Sequence, residues 1–413
     1  MPRLSIPLYI LSIVFSTVTT AASGPMALTH RDARGDVELR DIMYGGNTST
    51  TLPTWGSNST KMVVKQIANE DVAFASVLYA GASPFTCGIY RRIGAGGWVG
   101  ISSFWCHQPP NLVLDGDNRL HAIFPDTDGT VAHLRFDDPV HSAAFVEVDT
   151  SPILGGAPTN AYFGLAYDRI NHAIWLVFSD TSWRLRAALY TTAWNAAEVL
   201  GSYSGHAYLY PCVVATRGEV HVLTGRFLLG SDPHVYDGIV KYTRRGSWSG
   251  NTVAEALGAT QIALFAGDLV ETDVPGEVIG LIYCSQEYGG PRETGAYIVR
   301  PESGWRLGDG EHIGGAPDFS TLSNLFVDSR GGTWVVGTYG PTLRYRYRPD
   351  DQSPWTYPFL VEIPGTVSAA PVSVKRKSGA DWLEDLAFCY SANFDGTRYK
   401  TVTEGRAQAR WRR

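Results

Sequence analysis

The sequence predicts an all-β fold, a seven-bladed β-propeller of four-stranded antiparallel blades. The composition is turn-rich and aromatic-rich, with Gly 44, Tyr 21 and Trp 12 in 413 residues, and no long amphipathic helical pattern interrupts it. A unit also recurs: an apolar strand, an Asp-centred turn often with Gly, and a second strand opening on His, Trp or an aliphatic residue. Its turns begin near Asp71, Asp115, Asp168, Thr216, Asp273, Asp328 and Asp381. The intervals of 44, 53, 48, 57, 55 and 53 average about 52, the length of one four-stranded blade. Each blade has two apolar faces that only its neighbours cover, and closing the ring protects the sheet edges. The first and last units are the least clear, and six or eight units also fit. The stretch DVELRDIMY, Asp36 to Tyr44, reads as a strand that completes the last blade.

Residues 1–22 read as a secretory signal peptide: Arg3, an apolar run from Leu4 to Val18, and small residues around Thr20–Ala22. Residues 23–413 then form a single propeller domain, with no later segment apolar enough to span a membrane. A secreted, extracellular protein follows. Sequons at Asn47 and Asn58 lie in a polar Gly/Ser/Thr stretch suited to surface glycosylation. Five cysteines fit an oxidising compartment, and Cys87 with Cys106 is the first pairing to expect. Cys106-His107 also admits a metal or nucleophile reading, against which the export signal weighs. A net charge of −6 with 18 % charged residues argues against nucleic acid, which wants a basic face, but leaves room for an anionic ligand held by a few arginines.

Hairpin geometry sharpens the reading, because residues equidistant from a tight turn face each other across an antiparallel pair. His107 lies ten positions before Asp117 and Thr127 ten after it, between Asp126 and Asp128. Tyr162 and Phe178 are equidistant from Ile170, and Tyr210 and Arg226 from Gly218. His107, Tyr162, Tyr210 and Arg226 therefore fall at equivalent ends of three successive hairpins, at one mouth of the channel. Singly, His107 reads as a loop histidine bonded to backbone, and the tyrosines read as core. His121 and His221, in mid-strand, read as packing residues. Arg226, ending the apolar run VHVLTGR, needs an anion or a carbonyl cluster.

The segments HQPPNLVLDGDNRLHAIF and TVAHLRFDDPVHSAAFVEV carry a resemblance to secreted BNR-repeat propeller polysaccharide lyases, the ulvan lyases and rhamnose–glucuronate lyases. It covers roughly residues 60–250. The resemblance implies His107 as the first catalytic histidine, Tyr162 and Tyr210 as catalytic tyrosines, and Arg226 as a carboxylate-binding arginine. Thr127 stands where the family has a second histidine and Phe178 where it has its first arginine. Arg184 and Arg186, in SWRLRAALY, offer a substitute from the neighbouring loop. His234 and Tyr236 sit where related enzymes place further polar site residues. The implied chemistry is β-elimination next to a uronic acid, with His107 as base and Tyr210 as acid, Tyr162 being the other hydroxyl for the acid role. It needs no cofactor and no metal, and DGDN (Asp115–Asn118) is too short for an EF-hand-like calcium loop. The expected partner is a uronate-containing polysaccharide or oligosaccharide, met by a monomer with no nucleic acid and no membrane. A non-catalytic glycan-binding propeller and a hydrolase using Asp126 or Asp128 compete with the lyase reading. A protein-interaction propeller is the fourth option.

Overall fold

The computed structural model describes residues 39–43, 60–67, 70–78, 85–94, 96–106, 109–153, 163–230, 235–255, 263–285, 295–301, 304–314, 323–328, 331–339, 342–360, 372–373, 386–391 and 397–402. Their regular structure is 28 strands and two single-turn 3-10 segments. Strands form where β-branched and aromatic residues run between turn residues. The second strand of a unit is covered on both faces, so it is apolar nearly throughout. AIWLVFS over Ala173–Ser179 and LHAIFP over Leu120–Pro125 are buried at every position. An outermost strand has less cover: VGISSFWC over Val99–Cys106 is buried only at Ile101 and Cys106.

Strands pair antiparallel in chain order within units spanning 62–106, 111–147, 164–201, 206–255, 263–314 and 324–360. A last unit takes three strands from Val372–Ser373, Leu386–Ser391 and Thr397–Val402, and its fourth from Leu39–Met43. Leu39–Met43 pairs antiparallel with Thr397–Val402, so the segment before the first unit completes the last blade. Among the described residues the hydrogen-bonded sheets number six, not the seven expected: five have four strands and one has eight. In the eight-stranded sheet the unit 206–255 is joined to the unit 263–314 by one parallel pairing, Tyr236 with Ala263. Spacing along the sequence counts hairpins and is blind to a bond shared between neighbouring hairpins. The result is an all-β propeller in which one blade has double width.

The core lies between units. Val113 and Ile123 of the second unit pack with Leu165, Ile174, Leu176 and Phe178 of the third, and Cys212, Leu223 and Ile239 of the fourth with Leu264, Ala266 and Ile282 of the fifth. Each fully buried side chain of this kind contributes about 1.5–3 kcal/mol. Near the axis the first strands come so close that Gly164 has no room for a side chain. A Cβ there would lie 2.6 Å from the Pro211 carbonyl oxygen and inside the Val213 side chain. Gly164→Ala is therefore expected to cost about 1–3 kcal/mol, read by urea unfolding; no loss would mean that these strands separate easily. No helix among the described residues is long and apolar enough to cross a membrane.

Candidate functional site

An antiparallel meander brings three parts of each unit to one end: the start of its first strand, the hairpin between its second and third strands, and the link into the next unit. This end is called the upper face below. His107, Tyr162 and His234 lie outside the described residues.

In the second unit Leu114 pairs with Leu120 and Asn111 with Ile123, a register centred on Asp117, as the equidistance argument expects. Thr127 sits at the exposed tip of the following hairpin, its backbone N–H donating to Asp126 Oδ1 at 2.6 Å. Asp128 accepts the Thr130 hydroxyl at 2.6 Å and backbone N–H at 2.8 Å, and these bonds hold its carboxyl below the usual range. A carboxylate so held is a poor general acid, which counts against the hydrolase reading.

In the third unit the four-residue turn after Asp168 sets the register at Gly164 with Val177 and Asp168 with Ala173. Phe163, not Tyr162, is thus next in line with Phe178. Phe178 is 0 % exposed and meets Phe163 edge-on at 6.0 Å, so the position of the family's first arginine is core here. The charged groups lie just beyond. Asp180, also 0 % exposed, accepts Arg186 Nε at 2.5 Å and Arg184 Nε at 2.9 Å, with the backbone N–H groups of Ser182 and Arg184 at 2.9 and 3.0 Å. Burial pushes the Asp180 carboxyl up, but these hydrogen bonds outweigh it and the net pKa is lowered. Arg186 is buried and also donates to the Ala197 carbonyl, so its fork is used within the protein. The Arg184 side chain is 37 % exposed. Asp180 grips it by one edge, and the exposed part reaches solvent at the upper face.

The fourth unit departs furthest from expectation. Its turn is the two residues Arg217 and Gly218, both at positive φ (49° and 78°), the geometry of a hairpin turn matched to strand twist. The register then slips between Leu209, paired with Gly225, and Cys212, paired with Leu223. Tyr208, not Tyr210, therefore faces Arg226. The slip is a β-bulge at Tyr210-Pro211, and Tyr210 has φ +55°, left-handed for a bulky residue.

Arg226 is 4 % exposed. Its guanidinium carbon stands 4.4 Å from the centroid of the Tyr203 ring, and Tyr203 is 48 % exposed. A Cβ on Gly238, opposite Arg226, would lie 3.0 Å from Arg226 Nε. Arg226 thus lies between a glycine and an aromatic roof. Tyr236 pairs by backbone with Phe227 and, across the fused joint, with Ala263. The structure brings Tyr210, Arg226, Arg184 and Thr127 to the upper parts of three successive units. Sequence reasoning missed Asp180 and Tyr203. Their signals were an Asp-Thr-Ser turn before an Arg-Leu-Arg pair, and a tyrosine in the Gly/Ser link GSYSG.

Cys87 and Cys106 form the expected disulfide. His121 and His221 are buried, as packing residues should be. His121 belongs to a chain between the second and third units. The Trp194 indole donates to His133 Nδ1 at 3.1 Å, which leaves the His133 proton on Nε2, 2.9 Å from His121 Nδ1; His121 Nε2 then faces Asp115 at 3.2 Å. This chain lies toward the lower face, away from the candidate site. Among the described residues no group of three or more His, Cys, Asp or Glu is arranged to hold a metal ion.

No protein-family model and no curated protein matches the sequence. Among solved structures, the chain is similar to an ulvan lyase of polysaccharide lyase family PL25 (TM-score 0.59, 12 % identity, 89 % of this chain and 96 % of that one). A second structure of the same kind is bound to -[GlcA(1-4)Rha3S]-. The polysaccharide lyase Uly1 is similar over 92 % of this chain and 100 % of its own (TM-score 0.54, 11 % identity). So is the lectin BP39L from Burkholderia pseudomallei (TM-score 0.57, 14 % identity, 84 % and 97 %). At such identities the similarity establishes the fold: an all-β propeller with four-stranded antiparallel blades.

Proposed function

We propose that this protein acts outside the cell on a uronate-containing polysaccharide, cleaving the bond next to the uronic acid by β-elimination at the upper face. The observation that carries the reading is Tyr210, a non-glycine residue at φ +55° in a first strand, held there by a bulge and followed by proline. Such a backbone costs on the order of 1–3 kcal/mol and persists where it aims a side chain. The fold similarity to ulvan lyases, one of them bound to a glucuronate-containing sugar, supports the class of substrate by analogy.

Elimination breaks the C5–H bond and the C4–O bond and forms a C4=C5 double bond. The C5 proton becomes acidic enough once the adjacent carboxylate is neutralised. Arg184 suits that role, since Asp180 fixes its fork and its outer part is exposed. Arg226 joins it from beneath Tyr203. Neutral His107 takes the C5 proton. Tyr210, or Tyr162 as the other hydroxyl, gives a proton to the departing sugar oxygen. Thr127, His234 and Tyr236 contact the flanking sugar units.

A second reading, glycan binding without cleavage, is favoured by the core placement of Phe178 where the family has an arginine. Incubation with a panel of uronate polysaccharides separates the two. A rise in ultraviolet absorbance from the unsaturated uronate, lost in His107→Ala, is expected. Binding with neither absorbance nor new reducing ends would leave a lectin-like module. Arg184→Ala should raise KM about tenfold or more while costing under about 1 kcal/mol of stability, because the ion pair is partly exposed and Asp180 keeps Arg186. Unchanged KM would remove Arg184 from the site.

A further inference from the structure

The residues on either side of His107 and Gln108 in the sequence are both held in place. Before them, Cys106 is buried and bonded to Cys87. After them, Pro109 and Pro110 are buried and both carbonyls are held from the preceding unit. Lys61 Nζ donates to the Pro109 carbonyl, and the Ser76 hydroxyl donates to the Pro110 carbonyl at 2.5 Å. Lys61 Nζ also donates to Asn111 Oδ1 at 2.8 Å, and Asn111 Nδ2 donates to the Phe163 carbonyl at 2.6 Å. Phe163 directly follows Tyr162. The Leu112 N–H donates to the Thr60 carbonyl at 2.7 Å, and the Ser76 N–H to the Lys61 carbonyl at 2.9 Å. One chain of bonds thus runs from the first unit through the second to the third, along the starts of their first strands.

Lys61 is an expensive residue for this duty. It is 4 % exposed, its hydrogen bonds go to neutral oxygens, and burial pushes its ammonium group down to about 7. A buried cation whose hydrogen bonds go to neutral oxygens costs stability that an apolar side chain of the same length would not. What it supplies is three directed donors at a fixed point.

We propose that Lys61, with Ser76, is a positioning residue that fixes residues 109–111, the start of the second unit's first strand just after His107 in sequence, and couples it through Asn111 to Phe163 at the start of the third. Lys61 touches no substrate; it acts through the two carbonyls and Asn111. The inference rests on the lyase reading for its catalytic consequence, though not for the clamp itself.

The test is Lys61→Met in the full chain, with Ser76→Ala as a second variant that removes one hydroxyl and carries the same measurements if Lys61→Met fails to fold. Lys61→Met removes a buried cation but leaves the Pro109 carbonyl and Asn111 Oδ1 without that donor, so the two effects oppose each other and the melting temperature should move little. Amide hydrogen exchange in peptides covering 104–114 should quicken about tenfold or more, since the segment opens locally rather than with the whole fold. On a uronate polysaccharide kcat should fall about 10²-fold with KM nearly unchanged, the signature of a misplaced base rather than lost binding. Unchanged exchange in both variants would overturn the clamp. Faster exchange with unchanged kcat would overturn the positioning role. Faster exchange in a protein whose wild type eliminates nothing would leave the clamp standing and fail the lyase reading.

Discussion

Tyr210→Phe should lower kcat by about 10²–10⁴-fold, the range for loss of a positioned general acid, while changing stability by no more than about 1 kcal/mol. The substitution removes one oxygen and leaves the ring, the bulge and the left-handed backbone in place. Tyr210→Gly separates the two roles further. Glycine adopts φ +55° without the roughly 1–2 kcal/mol that a side chain incurs there. The glycine variant should therefore be about as stable as the wild type, or more so, and inactive. Kinetics on a uronate polysaccharide with parallel urea unfolding reads both. If Tyr210→Gly unfolds easily, Tyr210 is a packing residue and the bulge serves the blade rather than the site.

Stability should fall steeply as the pH drops below about 6.5. Burial, then the neighbouring His121 and Arg135, hold His133 down to about 2. Burial, then Lys241 and Arg245, hold His221 down to about 3. In the unfolded chain both titrate near 6.5. Below that pH the unfolded state binds protons that the folded state refuses, so the contribution of these two histidines to stability is complete above about 6.5 and shrinks as the pH falls toward the folded values. At pH 5 each histidine costs about 2 kcal/mol, and the two together about 4 kcal/mol relative to pH 8. Asp115, Asp128 and Asp180, whose carboxyls are lowered, add to the loss only below about pH 4. Urea unfolding near pH 5 should show at least about two protons taken up on unfolding, His121, which burial also lowers, adding to them, and His133→Gln should reduce the uptake by about one. A flat stability profile would contradict the buried neutral histidines.

The repeat was legible because blade faces demand apolar strands at regular spacing, and the closing strand at Leu39–Met43 was legible from its own pattern. The fused joint at Tyr236 and Ala263 was not, since one shared backbone bond leaves no mark on side-chain choice. Equidistance predicted the register in the second unit, where turn and strand are regular. It failed by two positions in the fourth, one because the turn centres between Arg217 and Gly218 and one because a bulge adds a residue that only the backbone at Tyr210-Pro211 reveals. Arg226 was expected to need an anion or a carbonyl cluster; the Tyr203 ring that covers it lies in a link between units, twenty-three positions away and invisible to hairpin arithmetic. Lys61 and Asp180 escaped notice because their importance is burial, and burial of a charge is the feature a sequence conceals best.

The most direct measurement is the mass of the oligosaccharides released from a glucuronate–rhamnose polysaccharide by the purified protein. Elimination leaves each new non-reducing end one water lighter than hydrolysis does. Products carrying the unsaturated end, formed by the wild type and not by Tyr210→Phe, are the result this account predicts. Products of full hydrolytic mass, or no products beside measurable binding, would contradict it.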